Sequence, residues 1–212
     1  MDNVLIFGSS GTLGSECAKH FATKGWNVLT SDRNIETLSD YANLNAIVWA
    51  QGANHTSTFK DMDQEQWDEI WEANFVFVTR TLKSLLNSNS ISVGARLVIF
   101  SSVWENVARK NKSAYISSKA AIGGFIRSMA CELGDLNISI NGLLPGIIDT
   151  PMTRKNLSQE QVNQIIDQTP SKKLVRADEI ARVAEFLVSK NSQGINGQSI
   201  TVDNAWTISR NV

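Results

Sequence analysis

A serine, a tyrosine and a lysine near the middle of the chain have the types and spacing needed for proton transfer. If the stretch from Tyr115 to Lys119 is helical, the phenol and the ammonium lie one turn apart on one helix face. A neighbouring cation favours the phenolate, so we expect the pKa of Tyr115 to fall from about 10 toward neutral pH, where a tyrosine acts as a general acid or base. Ser102 ends the apolar run 95–102, which places its hydroxyl at the carboxyl end of a strand.

A tyrosine four residues before a lysine is by itself a common solvated pair, so the interpretation depends on its surroundings. The turn Gly8-Ser9-Ser10-Gly11-Thr12-Leu13-Gly14 follows the apolar strand 4–7 and precedes an amphipathic helix over 15–24. Glycine lets a backbone approach a pyrophosphate closely, and the start of a helix offers unpaired N–H groups. The turn therefore predicts a phosphate site formed by Gly8, Ser10, Gly11, Thr12, Leu13 and Gly14.

An acidic residue follows the second predicted strand, 28–31. Asp32 comes eighteen residues after Gly14, about where a carboxylate would bind the adenosine ribose hydroxyls. A carboxylate there repels a 2′-phosphate, whereas a guanidinium at Arg33 would bind one. We therefore expect NAD as the cofactor, with NADP as the alternative.

The alternation of apolar strands with amphipathic helices predicts a Rossmann-like α/β fold, in which a doubly wound parallel sheet lies between two helical layers. Only residues 33–45 separate the second strand from the third, 46–50, which is too short for another strand with two crossovers. Further strands are expected at 95–102, 138–144 and 198–202, and a long helix at 113–133. The polar stretch 147–175 is the natural place for a substrate lid.

Size and composition indicate one domain, 1–212, of a soluble protein. The 212 residues carry 20 basic and 21 acidic side chains, and this balance argues against a nucleic-acid partner. No basic leader precedes the first strand and no apolar run reaches membrane-spanning length, so we expect a cytoplasmic protein without a membrane partner. Cys17 and Cys131 are expected to be buried thiols, and without a Cys or His cluster we expect no metal site.

Several polar and aromatic residues lie on predicted loops near the carboxyl ends of the strands. His55 either touches substrate or, as we prefer, is exposed or locally hydrogen-bonded. Trp104 either walls a substrate cleft or packs against the sheet. The cluster Arg109, Lys110 and Lys112 either attracts an anionic substrate or, as we prefer, forms a solvated loop.

Taken together, these features resemble the short-chain dehydrogenase/reductase family over almost the whole chain. The matching positions are the glycine turn 8–14, Asn74, Ser102, Tyr115-x-x-x-Lys119, Pro145-Gly146-Ile147-Ile148-Asp149-Thr150, and the closing strand from Asn196-Gly197-Gln198 to Val202-Asp203. Asn74 taken alone lies on the buried face of a predicted helix, where a structural role is commoner than a catalytic one. The joint pattern is far more specific than any single motif.

The resemblance implies an NAD(P)(H)-dependent oxidoreductase that interconverts a secondary alcohol and a ketone by hydride transfer. Tyr115 would exchange a proton with the substrate oxygen, Ser102 would hydrogen-bond that oxygen, and Lys119 would hold the nicotinamide ribose. Asn74 would anchor a water that links Lys119 to solvent. Further cofactor contacts are implied for Ala50, Gln51, Gly52, Pro145, Gly146, Ile148 and Thr150, of which the last two would fix the carboxamide.

The sequence departs from the family pattern at three places. Thr12 stands where the usual G-x-x-x-G-x-G turn has its middle glycine, which is expected to alter the turn while keeping phosphate binding. The usual Asn-Asn-Ala-Gly is Trp49-Ala50-Gln51-Gly52, which affects contacts on the adenosine side. The short segment 33–45 omits the family's third, edge strand, so six strands are expected in the order 2-1-3-4-5-6.

Two alternatives compete with the oxidoreductase. A nucleotide-binding scaffold or regulator without turnover would account for the altered glycine turn and the missing edge strand on the adenosine side. Such a protein would not need a tyrosine with a shifted pKa. A sugar-nucleotide epimerase or dehydratase would need a larger carboxyl-terminal domain than the chain after Thr150 allows. The resemblance also implies a homo-tetramer or homo-dimer formed through the helices at 63–89 and 113–133.

Overall fold

The computed structural model describes residues 1–31 and 36–209, which fold around a six-stranded parallel sheet. Its strands are β1 (Asn3–Phe7), β2 (Asn27–Ser31), β3 (Leu44–Trp49), β4 (Ile91–Phe100), β5 (Ser139–Pro145) and β6 (Ser199–Val202). They lie in the order β2-β1-β3-β4-β5-β6, and every neighbouring pair is parallel. The predicted fold class and strand order are therefore confirmed.

Helices cover both faces of the sheet. The described helices are α1 (Thr12–Thr23), α2 (Gln64–Trp71), α3 (Phe77–Asn87), α4 (Ser113–Glu132), α5 (Pro151–Asn156), α6 (Gln159–Gln168) and α7 (Ala177–Val188). α1 and α7 pack together on one face, and α3 and α4 cover the other. α5 and α6 lie within the predicted lid region 147–175. None of these described helices is both long and apolar enough to span a bilayer.

The strand β1 shows how the sheet divides the core. Successive strand side chains point to opposite faces, so Leu5 and Phe7 pack among the side chains of α3 and α4, whereas Val4 and Ile6 pack among those of α1 and α7. All four are essentially inaccessible to solvent. Burial of each such side chain stabilises the fold by roughly 1.5–3 kcal/mol, and the resulting rigid sheet holds the loops at its carboxyl edge.

The connection between β2 and β3 is short, as the sequence predicts. Its described part holds one 3₁₀ turn, Glu36–Asp40, in which Leu38 is buried against the core on the α3 side. The chain then enters β3, which pairs directly with β1 and leaves β2 at the sheet edge. Asp32 and Arg33, which are expected to contact the adenosine ribose, lie outside the described residues.

The two cysteines differ in environment. Cys17 of α1 is buried, and this burial, with a smaller effect of Glu16, raises the pKa of its thiol to about 12. Cys131, near the end of α4, is exposed, so the prediction that it is buried is wrong. The buried face of α4 ends at Ile126, and a residue five positions later falls off the i, i+3, i+4 spacing of that face.

Candidate active site

A cavity of about 700 Å³ opens at the carboxyl ends of β1, β3, β4 and β5. Most of the predicted site residues line it: Gly8, Ser10, Gly11, Thr12, Leu13, Ala50, Gln51, Gly52, Ser102, Tyr115, Pro145, Gly146, Ile148 and Thr150. Three others lie directly behind this lining, Gly14 against Gly8, and Asn74 and Lys119 against Gly52. The fold thus brings together residues from four strand ends and two helices.

Close backbone packing accounts for the glycines of the first turn. Gly8 has a φ of +78°, and a Cβ there would lie 2.7 Å from the Gln51 backbone nitrogen. A Cβ at Gly14 would lie 2.1 Å from the carbonyl oxygen of Gly8. No side chain caps α1, which begins after Gly11, and Thr12 occupies its first position. Thr12 and Leu13, in the first turn of this uncapped helix, line the cavity, and the start of a helix suits a phosphate.

Asn74 lies in a π-helical turn, Glu72–Val76, that joins α2 to α3. The side chain is 2 % exposed, and its amide nitrogen donates to the Ala53 carbonyl and to the Ser118 hydroxyl, both at 3.0 Å. Its Oδ1 accepts the Ala53 N–H at 2.9 Å. A Cβ at Gly52 would lie 2.9 Å from this oxygen. Asn74 therefore joins the loop after β3 to α4.

Ser102 and Tyr115 bring two hydroxyl groups into one corner of the cavity. Ser102 follows β4 and begins a 3₁₀ turn, Val103–Glu105, and its Oγ accepts the Trp104 N–H at 3.4 Å. Tyr115 lies in the first turn of α4. Burial raises the pKa of Tyr115, and a side-chain hydrogen bond with Ser102 acts in the opposite direction. The expected lowering of the Tyr115 pKa is therefore wrong, because lost solvation of the phenolate outweighs the stabilising contacts.

The ammonium of Lys119 bonds to the backbone of β4. Its Nζ donates to the Phe100 carbonyl oxygen at 2.9 Å and lies 5.7 Å from the centroid of the Tyr115 ring. Lys119 is 3 % exposed, and burial lowers its pKa to about 8, while the Glu105 carboxylate acts to raise it. The spacing prediction thus places Lys119 correctly beside Tyr115, but the cation bonds to a carbonyl and faces the aromatic ring.

The basic loop before α4 is only partly solvated. Lys112 is buried, and its Nζ donates to three oxygens in the loop 54–56, at distances from 2.5 to 3.2 Å. Burial lowers the pKa of Lys112 to about 8, and the Arg109 charge lowers it further. The prediction of a solvated loop is wrong for Lys112, because acceptors distant in sequence converge on it, whereas Arg109 and Lys110 are exposed.

Two predictions about loop residues are resolved by their contacts. The His55 ring hydrogen-bonds Glu69 Oε2 of α2 at 2.7 Å, which is the local bonding that we prefer on sequence grounds. Trp104 lines the cavity, so it forms part of a cleft wall. Its ring packs edge to face against Trp206, with centroids 5.7 Å apart and planes at 77°.

The predicted nicotinamide-side residues form one wall of the cavity. Pro145 ends β5, and Gly146 lets the chain pass close to the segment after β6, since a Cβ there would lie 2.6 Å from the Cβ of Asp203. Ile148 forms an isolated parallel bridge with the chain before α7. Thr150 is the N-cap of α5, and its Oγ1 accepts a backbone N–H of the first helical turn at 3.2 Å.

Two residues beside the site are not identified by the sequence analysis. Trp206 lies three positions after Asp203, the last residue of the closing motif, and that motif is its only sequence signal. Glu105 packs against Gly123, where a Cβ would lie 2.4 Å from its Oε1, and this Oε1 accepts the Ser199 hydroxyl at 2.7 Å. Its Oε2 is buried without a hydrogen-bond partner in the described part of the chain. No sequence pattern marks Glu105.

Comparison with known proteins gives consistent matches. A family model described as Enoyl-(Acyl carrier protein) reductase matches residues 35–207. The 3-oxoacyl-[acyl-carrier-protein] reductase FabG of Escherichia coli is 27% identical over 231 aligned residues, which cover 94% of each chain. The FabG of Chlamydia muridarum is 27% identical over 213 residues, covering 95% of this chain and 86% of the relative.

Solved structures show the same fold. A short-chain dehydrogenase family protein from Francisella tularensis superposes with a TM-score of 0.89 at 22% identity, covering 99% of this chain and 100% of that one. The ligand-free aldohexose dehydrogenase of Thermoplasma acidophilum gives a TM-score of 0.89 at 22% identity, covering 100% of this chain and 96% of that one. Because the family model also spans most of the sequence, this chain belongs to the short-chain dehydrogenase/reductase family of NAD(P)-dependent oxidoreductases.

Proposed function

We propose that this protein interconverts a ketone and a secondary alcohol with an NAD(P)(H) cofactor, and that Tyr115 transfers the proton. One observation carries the proposal: Ser102 at the end of β4 and Tyr115 in the first turn of α4 line the same cavity as the glycine turn. A carbonyl oxygen bound between the two hydroxyls would be within reach of both donors.

The lining of the cavity fits a dinucleotide. The backbone of the glycine turn and the uncapped start of α1 would hold the pyrophosphate, and the wall from Pro145 to Thr150 would hold the nicotinamide side. A bound nicotinamide would supply hydride to the carbonyl carbon in reduction and take it back in oxidation. The role of Lys119 in holding the ribose remains part of the proposal.

Side chains of the protein supply the proton that the substrate oxygen takes up during reduction. In the reduction, Ser102 hydrogen-bonds the carbonyl oxygen, and the O–H bond of Tyr115 breaks as its proton passes to that oxygen. Because burial raises the pKa of Tyr115, the phenol stays protonated at neutral pH and is ready to donate. The nearby Lys119 ammonium stabilises the phenolate that remains, and solvent returns the proton. In the reverse direction the phenolate accepts the alcohol proton, so oxidation should accelerate as pH rises.

The decisive experiment follows the absorbance of NADH and NADPH with a panel of ketones. Tyr115→Phe should lower kcat at least 100-fold, within the range that general acid–base catalysis contributes. The matched control is Tyr41→Phe, since Tyr41 is the only other tyrosine and its hydroxyl bonds to the Thr30 carbonyl. Equal turnover by the parent and Tyr115→Phe would overturn the assignment. Cofactor binding without turnover of any ketone would favour the scaffold alternative.

We propose NAD as the preferred cofactor because of the Asp32 carboxylate. Asp32 directly follows β2 in the sequence, and its charge would repel the additional phosphate of NADP despite the adjacent Arg33. A thermal-shift comparison tests this, since a ligand that binds the folded state raises the melting temperature, and at equal concentration the tighter ligand raises it more. A larger rise with NADP than with NAD at equal concentration would reverse the preference.

We also propose a homo-oligomer formed through the helices at 63–89 and 113–133. Half-buried rings of Trp67, Trp71, Phe75 and Phe125 pack in series across this face, with successive centroids 5.9 to 6.4 Å apart. Aromatic side chains are enriched at protein interfaces. Light scattering should show a dimer or tetramer that Phe125→Glu dissociates, and a monomeric parent would refute the proposal.

A further inference from the structure

A groove walled by two tryptophans leads away from the active-site cavity. We call it the tryptophan groove, and Trp104, Arg109, Gln168 and Trp206 line both of its parts, of which the outer has a volume of about 590 Å³. Trp104 also lines the main cavity, and Ile147 borders both the main cavity and the inner part. The groove therefore shares two wall residues, Trp104 and Ile147, with the cavity that Tyr115 lines.

Hydrogen bonds and ring packing hold both tryptophans in place. The backbone N–H of Trp104 donates to Ser102 Oγ at 3.4 Å, which fixes this wall next to the proposed oxygen-binding group. Trp206 packs edge to face on Trp104, and its indole N–H donates to Gln168 Oε1 of α6 at 3.4 Å. The Asp203 carboxylate accepts backbone N–H groups of the turn that carries Trp206, at 2.9 and 2.8 Å. Three separate elements thus converge on a preformed apolar wall.

The groove also carries a positive charge without an ion-pair partner in the described part of the chain. Among the described residues, Arg109 has no carboxylate within 4.0 Å, as is also true of Arg96 and Arg127, whereas the other described arginines each form an ion pair. The charge of Arg109 also lowers the pKa of Lys112, so these two cations lie close enough to interact. Lys112 itself is occupied by the loop 54–56, which leaves the guanidinium of Arg109 available to an anion.

We propose that the tryptophan groove selects ketones and alcohols that carry an oxyanion, a carboxylate or a phosphate, attached to an apolar or ring body. The carbonyl would lie at Ser102 and Tyr115, the body along Trp104 and Trp206, and the oxyanion against Arg109. Aromatic walls bury apolar bodies favourably, and a guanidinium binds carboxylate or phosphate through two parallel hydrogen bonds. This inference deepens the proposed function and rests on it for the position of the carbonyl.

The kinetic test compares three aromatic ketones of similar shape: 4-acetylbenzoate, the uncharged 4-acetylbenzamide, and 4-acetylphenyl phosphate. The parent should reduce an anionic member with a higher kcat/KM than the carboxamide, and added salt should weaken that preference. Arg109→Gln should lower the ratio of the two kcat/KM values at least tenfold, mainly through KM, and Arg109→Lys should retain part of it. Lys110→Gln is the matched control, because Lys110 is an exposed cation of the same loop that does not line the groove.

A binding measurement separates this inference from the proposed function. Quenching of tryptophan fluorescence by the same three compounds reports binding without turnover, and the comparison of Arg109→Gln with Lys110→Gln locates that binding. The inference is supported if an anionic compound quenches tenfold more weakly in Arg109→Gln while Lys110→Gln behaves like the parent. If this result is obtained but no ketone is reduced, only the proposed function fails. The relative affinities of carboxylate and phosphate identify the oxyanion. An unchanged ratio in Arg109→Gln, a preference for the carboxamide, or neither quenching nor turnover overturns the inference.

Discussion

Replacing Lys119 by methionine is expected to stabilise the protein at neutral pH while abolishing its activity. The lysine is almost fully buried and makes one hydrogen bond within residues 1–31 and 36–209, to the Phe100 carbonyl, so most of the hydration of its charge is lost on folding. Its pKa falls on folding from 10.5 to about 8. Because the folded-state pKa lies below the unfolded one, the protonated lysine destabilises the fold below pH 8, and this cost is relieved as pH rises from about 8 to 10.5.

The magnitude follows from the two pKa values. The fall from 10.5 to about 8 corresponds to roughly 3 kcal/mol at 1.36 kcal/mol per pH unit. Methionine occupies a similar volume but leaves the Phe100 carbonyl without its donor, which costs about 1–2 kcal/mol. Lys119→Met should therefore be more stable than the parent by about 1–2 kcal/mol near pH 7. Above pH 10.5 the neutral lysine keeps its hydrogen bond without the charge cost, so the order of stabilities should reverse.

Urea unfolding measured from pH 6 to pH 10.5 tests these values. Lys112, whose pKa is also about 8, contributes a similar pH dependence to both proteins, so the difference between parent and variant isolates Lys119. Lys83→Met serves as the matched control, because Lys83 is exposed on α3. Turnover of NADH or NADPH with a competent ketone should be lost only in Lys119→Met.

Two results would refute the reasoning. If the stability difference between parent and Lys119→Met does not change with pH, the ammonium is not desolvated as the burial of its side chain indicates. If Lys119→Met is the less stable protein at pH 7, the bond to Phe100 outweighs the cost of burying the charge.

Two further changes test the packing and charges around the cavity. Gly14→Ala should destabilise the protein by about 1–3 kcal/mol and weaken cofactor binding in a thermal-shift assay, because its Cβ would lie 2.1 Å from the Gly8 carbonyl oxygen. Gly134→Ala is the control, because a Cβ there has open space around it and should have neither effect. Equal effects of the two changes would contradict the packing argument. Glu105→Gln removes the carboxylate that raises the pKa of Lys119, so the free energy of unfolding should begin to rise with pH at a lower pH than in the parent. If that rise begins at the same pH in both proteins, Glu105 does not affect the pKa of Lys119.

The fold could be predicted because its determinants are local or arise from chain length. The apolar runs and the glycine turn fix strands and helices, and the short connection 33–45 excludes an additional strand, which gives the observed order β2-β1-β3-β4-β5-β6. The position of Tyr115 beside Lys119 is equally local, since both lie one turn apart on α4. Such features depend on backbone geometry that sequence spacing determines directly.

Properties that depend on three-dimensional solvation were not predictable in the same way. Burial raises the pKa of Tyr115, and that burial depends on all the residues around the cavity. The sequence reveals only the lysine four residues later. Lys112 is buried by acceptors 56 to 58 positions away, which no loop pattern indicates. Trp206 packs against Trp104, 102 positions earlier in the chain, and no local pattern indicates that contact.

The π-helical turn at Glu72–Val76 has a consequence for how this helix tolerates length changes. One extra residue offsets the angular phase of a helix by about 100°, so α2 and α3 differ in phase, and Asn74 lies in the turn between them. Removing one residue from this junction would restore an uninterrupted rod and rotate Asn74 away from Ala53 and Ser118. The π-helical turn thus sets the rotation of α3 relative to α2. Deletion of a single residue in this turn should therefore be tolerated less well than substitution of one of its exposed residues.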